Sequence, residues 1–154
     1  MFDGTDAPVS YHGVIQTAHH IEIRLVDSWN HDQIVALYRA GGWWNEAYDE
    51  AGIPALIKGS FLFAVALDRG QAVGMGRVIS DGVSDGYIQD IIVLPSHRRS
   101  GIGKMIISTL LESCRQRGLG WIGLIAEPGS EEFYHTLGFR RLEGYIPLIY
   151  DGGG

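Results

Sequence analysis

Apolar Ile21, Ile23 and Leu25 alternate with polar Glu22 and Arg24, and this two-residue period predicts a half-buried strand over 21–25. The period then changes. Ile34, Leu37 and Tyr38 recur at three-to-four spacing behind Asn30 and Asp32, either of which suits an N-cap, and Gly41-Gly42 supplies a stop. A second, less regular helix is expected within 43–58, interrupted at Gly52-Ile53-Pro54. Residues 61–67 and 71–79 read as two strands about a hairpin turn at Asp68-Arg69-Gly70, and a turn-rich link over 80–86 leads to a third strand at 87–93. Helical spacing returns over 104–117, with Ile106, Leu110 and Cys114 repeating, and Gly118 and Gly120 end it before a strand at 121–126.

Three strands on short turns predict an antiparallel meander. A strand, a helix and another strand predict a crossover, so part of the sheet should be parallel. A short helix is expected over 130–137, with Ser130 as its N-cap and Glu131 and Glu132 in its first turn. Segments 140–142 and 146–150 are expected to close the sheet. The fold class is therefore α+β, a mostly antiparallel mixed sheet with flanking helices, in one domain spanning 21–150. Residues 1–20 carry no period and read as a loose leader; 151–154 read as a frayed end.

Composition narrows the function classes. The 154 residues suit one core, and 45% hydrophobic content predicts a packed interior. A net charge of −6 argues against non-specific nucleic-acid binding, which depends on basic surface. Cys114 is the only cysteine, so no intramolecular disulfide and no cysteine-based metal cluster is expected; it reads as a small buried apolar residue. No apolar run approaches the ~18 residues that mark a membrane span. The first residues lack the basic-then-apolar order of a signal peptide, so the expectation is a soluble cytoplasmic protein without membrane or metal partners.

The most informative stretch runs Val93-Leu94-Pro95-Ser96-His97-Arg98-Arg99-Ser100-Gly101-Ile102-Gly103-Lys104. A strand that stops at proline, turns through basic residues and glycines and enters a helix is suited to an anion. The first helical N–H groups have no intrahelical acceptor, and the helix dipole is positive there. Gly101 and Gly103 let a phosphate approach the backbone, and Arg98 and Arg99 add positive charge. A P-loop is excluded, because Met105 follows Lys104 and Arg98 stands five before Gly103. A dinucleotide fingerprint is weak, because Ile106 takes the third glycine position.

What remains is Arg-x-x-Gly-x-Gly over Arg98 to Gly103, after a Val93-x-Pro95 strand end. Here the chain resembles the GNAT superfamily of acyl-CoA N-acyltransferases. Phe133-Tyr134-His135-Thr136-Leu137-Gly138-Phe139 is similar to that family's later Phe-Tyr-x-x-x-Gly-Phe motif, one helix and one strand further on. The resemblance implies direct acetyl transfer from acetyl-CoA to an amine on a sheet with a splayed parallel pair. It implies pyrophosphate on the N–H groups of Arg99, Ser100, Gly101, Ile102, Gly103 and Lys104, beside Arg98. Pantetheine would hydrogen-bond Ile92 and Leu94, and an N–H near Val93 would hold the thioester oxygen.

Tyr134 matches the family's general acid, and its alternative role is packing. Ser130 partly replaces an asparagine that many relatives carry between the last strand and the short helix. The general base stays open among Asp90, Glu46, Asp49, Glu50 and water. Asp90, inside an apolar strand, suits catalysis and a structural pairing with Arg77 about equally. Trp43 and Trp44 suit an acceptor pocket or the core. A non-catalytic acyl-CoA sensor on the same fold is the rival reading, and a homodimer is left open.

Overall fold

The computed structural model describes residues 20–152, so the expected leader lies outside the described residues apart from His20. Its elements are β1 (Ile21–Leu25), α1 (His31–Ala40), a 3-10 turn (Glu50–Gly52), α2 (Ile53–Gly59), β2 (Leu62–Asp68), β3 (Gln71–Ile79), β4 (Asp85–Val93), a second 3-10 turn (Pro95–His97), α3 (Ile102–Gln116), β5 (Trp121–Gly123) and α4 (Glu131–His135). The sheet order is β1-β2-β3-β4-β5, antiparallel throughout except for the parallel pair β4·β5. This is the expected mixed α+β sheet.

Both faces of the sheet are covered. Phe63, Val65, Leu67, Met75 and Ile92 pack against Ile34, Val35, Leu37 and Tyr38 of α1 and Ile53 and Ile57 of α2. The other face takes α3 through Ile102, Ile106, Leu110 and Cys114. Side-chain size explains the seat of α3. On that face β2 and β3 pair Ala64 with Gly76 and Ala66 with Gly74, so the sheet offers a shallow trough. A Cβ at Gly74 would lie 3.0 Å from Ile106, and one at Gly76 would overlap Ile91 and press on Ile106 at 2.9 Å. Cys114 is buried in this layer, and burial pushes its thiol pKa up, as fits a packing residue. Among the described residues no helix is long and apolar enough to cross a membrane.

Several boundaries differ from the sequence expectation. Asn30 is the cap of α1, accepting from the Gln33 N–H at 3.1 Å. Pro54 opens α2 rather than interrupting a longer helix, because the first turn needs no N–H from it. Helix α3 starts at Ile102, two residues early. Ser130 precedes α4 but makes no side-chain cap; its hydroxyl donates to the Glu127 carbonyl at 2.7 Å.

Two differences shape the molecule. Strand β5 ends at Gly123, short of residue 126, because β4 turns away from it. Between the pairs Arg77↔Gln89 and Met75↔Ile92, β3 spends one residue and β4 two, a β-bulge that bends the strand. The second difference is that 140–142 and 146–150 form no strand and do not close the sheet. Their apolar pattern fits a strand, but among the described residues no strand takes them into a ladder.

Candidate active site

The divergence of β4 and β5 opens a cleft of about 650 Å³. Its floor is β4, its far wall is the chain at Leu124, Ile125 and Glu127 with α4, and its near end is the loop into α3. The loop is shaped by backbone conformation. Gly101 (φ 82°) is the N-cap of α3, and Arg99 holds φ 60° just before it. No side chain caps α3, so its first N–H groups stay open toward the cleft. Arg98 Nε donates to the Val93 carbonyl at 3.0 Å. His97 Nε2 lies 2.9 Å from Asp68 Oδ2, tying the loop to the end of β2. The sequence-predicted Arg98, Arg99, Gly101, Ile102, Gly103 and Lys104 all line this one cleft, with Val93, Ser130, Tyr134 and Asp90.

Two expected contacts are placed differently, and the Ser100 hydroxyl, which is no part of the expected N–H contact, donates to the His97 carbonyl. The Leu94 N–H is spent on the Val73 carbonyl at 2.8 Å, which removes it from the donors open to a ligand. Ile92 pairs with Met75, and its side chain lies in the α1-side core. Neighbouring residues of an antiparallel strand aim their polar groups in opposite directions, so Val93, between these two, faces the cleft.

The bulge is held by a charged network. Asp90 sits at φ 59°, a left-handed conformation that aspartate tolerates better than most residues. Its Oδ2 accepts from Arg77 Nε at 2.6 Å and from the Tyr38 hydroxyl at 2.7 Å, while Arg77 Nη2 donates to Gln89 Oε1 at 2.7 Å. The pairing with Arg77 is therefore realised, and Tyr38 joins it. Burial first, and then the Asp90 carboxylate, push the Tyr38 phenol far above its ordinary range, so Tyr38 is a proton donor in this network and not a base.

Tyr134 reaches the cleft from α4. Its ring is wedged edge-on between Phe133 (5.2 Å) and Phe139 (5.7 Å). Its hydroxyl has no hydrogen-bond partner among the described residues. Burial, and then the nearby Glu127 carboxylate, raise its pKa above that of a free phenol.

The sequence model of the acetyltransferase (GNAT) family matches residues 21–139, most of the chain. The chain belongs to this family. Histone acetyltransferase TAP1 of Glycine max is 38% identical over 68 residues, 44% of this chain and 29% of that protein. The match thus spans under a third of that relative's length. A GNAT family acetyltransferase of Streptococcus pneumoniae has the same fold, with TM-score 0.74 and 28% identity over 87% of this chain and 99% of that one. The aminoglycoside N-acetyltransferase AAC(6')-Iy, solved in complex with CoA, shares the fold at TM-score 0.67 and 19% identity, covering 86% of this chain and 95% of that one.

Within this GNAT fold the acidic residues sort by place. Glu46 is on the surface, 3.3 Å from Arg39, and Asp49 accepts from the Ala51 N–H at 2.9 Å. Glu50 also faces Arg39, at 3.9 Å. None of the three lines the cleft. Trp43 does, whereas Trp44 packs on the α1-side core. Glu127 lines the cleft and was not singled out as a site residue from sequence. Its only sequence signal is that it directly follows the strand expected over 121–126; in the structure β5 ends at Gly123, four residues earlier.

Proposed function

We propose that the protein transfers an acetyl group from acetyl-CoA directly to a primary amine. The observation that carries this is convergence: an uncapped helix N-terminus, the Val93 strand edge and an unpartnered Tyr134 hydroxyl open into one cleft. The residues fit CoA as cosubstrate. The open N–H groups and Arg98, Arg99 and Lys104 match a pyrophosphate, and the gap between β4 and the chain after β5 admits a pantetheine arm as an added strand.

The Val93 N–H stabilises the thioester oxygen as the carbon becomes tetrahedral. The amine lone pair forms the C–N bond, and the C–S bond breaks with its electron pair going to sulfur. Tyr134 gives that thiolate its proton. Glu127 draws the cationic acceptor to the cleft mouth and accepts the proton the amine loses. Asp90, held by Arg77 and Tyr38, acts by fixing the bulge that presents Val93. Trp43 supplies an aromatic wall for the acceptor.

A thiol-release assay with acetyl-CoA against a panel of primary amines tests the reading. Turnover with at least one amine is expected; tight CoA binding without turnover on any amine would make the protein a sensor. Gly103→Val places a branched side chain where a Cβ already meets Phe133 at 3.4 Å. CoA affinity by calorimetry should fall at least tenfold, about 1.4 kcal/mol, in a protein with an unchanged circular dichroism spectrum. Unchanged affinity would move the phosphate site elsewhere.

The raised pKa of Tyr134 makes a second handle. Glu127 opposes a second negative charge, so removing its charge lets the phenol ionise at lower pH. Glu127→Gln should therefore shift the alkaline limb of kcat to lower pH and raise the acceptor KM. A limb that stays in place would show that Tyr134 does not sense Glu127.

A further inference from the structure

The loop into α3 keeps an unfavourable backbone shape with no cap to hold it. Arg99 stands at φ 60°, where a side chain is strained, Gly101 follows at φ 82°, and no side chain caps the helix. Such a shape persists only where its surroundings over-determine it. The Ser100 hydroxyl donates within the loop, to the His97 carbonyl, and Arg98 reaches only Val93 of the adjoining strand. Among the described residues, one side chain ties the loop to a strand other than β4: His97, through Asp68, 29 positions away in sequence.

We propose that His97 and Asp68 are positioning residues for CoA: their bond holds the loop in its phosphate-receiving shape before the cosubstrate arrives. The inference rests on the reading of this cleft as a CoA site. Each partner is itself fixed. Asp68 pairs with Gln71 across a two-residue turn, Arg69 at φ 50° and Gly70 at φ 81°, and with Ile21 of β1 on its other side. On the loop side the Leu94 N–H donates to the Val73 carbonyl, and the His97 N–H donates to the Leu94 carbonyl at 2.9 Å, which sets the imidazole over the end of that hairpin. Both ring nitrogens are engaged. A carboxylate only accepts, so Nε2 carries the proton toward Asp68 Oδ2 at 2.9 Å, and the neutral ring takes the Ser96 hydroxyl on Nδ1 at 2.7 Å. The two side chains are only 26% and 27% exposed, so water competes weakly for the bond. His97 also lines the cleft, whereas Asp68 does not. A loop ordered in advance leaves less freedom to be lost on binding, so the tie should appear in affinity.

The charge of Asp68 gives the test its sign. Asp68→Ala removes a negative charge beside an anion site, so charge alone would tighten CoA binding; loss of the tie weakens it. His97→Ala and Asp68→Ala should each raise the CoA Kd about tenfold by calorimetry, the change expected for one charge-assisted bond. The double variant should be no weaker than either single one, because all three break the same tie. His97→Gln keeps an N–H for Asp68 and should restore most of the affinity. In turnover the loss should fall on the acetyl-CoA KM and not on kcat, since Val93 and Tyr134 are untouched. Nitrogen NMR of the wild type should find the neutral His97 ring protonated on Nε2. Weaker binding in His97→Ala with unchanged or tighter binding in Asp68→Ala would make His97 a direct ligand and overturn the proposal. So would a ring protonated on Nδ1, or unchanged affinity in both Ala variants while the wild type binds CoA. A wild type that binds no CoA would instead overturn the reading of the cleft, and this inference with it.

Discussion

Replacing Tyr134 with Phe is expected to lower kcat by about 10²–10⁴-fold, the usual contribution of a positioned general acid. The ring is held edge-on by Phe133 and Phe139, so packing survives the loss of one oxygen. The hydroxyl has no partner among the described residues, so its removal orphans nothing in the fold, and the melting temperature should barely change. CoA affinity should also hold, because the phosphate-facing loop and Val93 are untouched. The pH profile adds a check. Desolvation and Glu127 raise the phenol pKa, so the wild-type alkaline limb should lie above the ~10 of a free phenol. The variant should lose that limb. Near-normal kcat with the limb intact would return Tyr134 to a packing role.

The second large effect is on stability. Asp90→Asn keeps a residue that tolerates φ 59° but removes the charge that faces Arg77. The pair is largely buried, with side chains 17% and 16% exposed. Breaking such a pair from one side leaves an uncompensated charge, and a loss of roughly 3 kcal/mol is expected. For a chain of this length that is about 6–12 °C in Tm. Tyr38→Phe removes one bond of the same network and should cost less. If the network fixes the bulge that presents Val93, kcat of Asp90→Asn should fall at least tenfold at temperatures where the variant is folded, with CoA affinity retained. Wild-type kcat in the folded variant would make the network purely structural.

The sequence by itself determined most of the elements and the glycine-rich turn into α3, because both rest on local chemistry. Side-chain period sets which face of β1, α1 or α3 is apolar. Gly101, at φ 82°, and the residues before it mark the turn into α3 whatever the rest of the chain does. The Phe133–Phe139 motif placed Tyr134 at a helix that does reach the cleft. Only the tertiary structure decided what depends on register. Nothing local to Asp90 says that β4 spends two residues against one of β3, that Val93 and not Leu94 faces the cleft, or that Tyr38, 52 positions away, donates to Asp90. The rest of the acidic set was undecided for the same reason: whether a carboxylate caps a turn like Asp49, pairs on the surface like Glu46 or lines the cleft like Glu127 depends on where strands diverge. Residues 146–150 mark the limit most clearly. Their apolar pattern predicts a strand, but a strand is completed by a neighbouring edge, and among the described residues they join none.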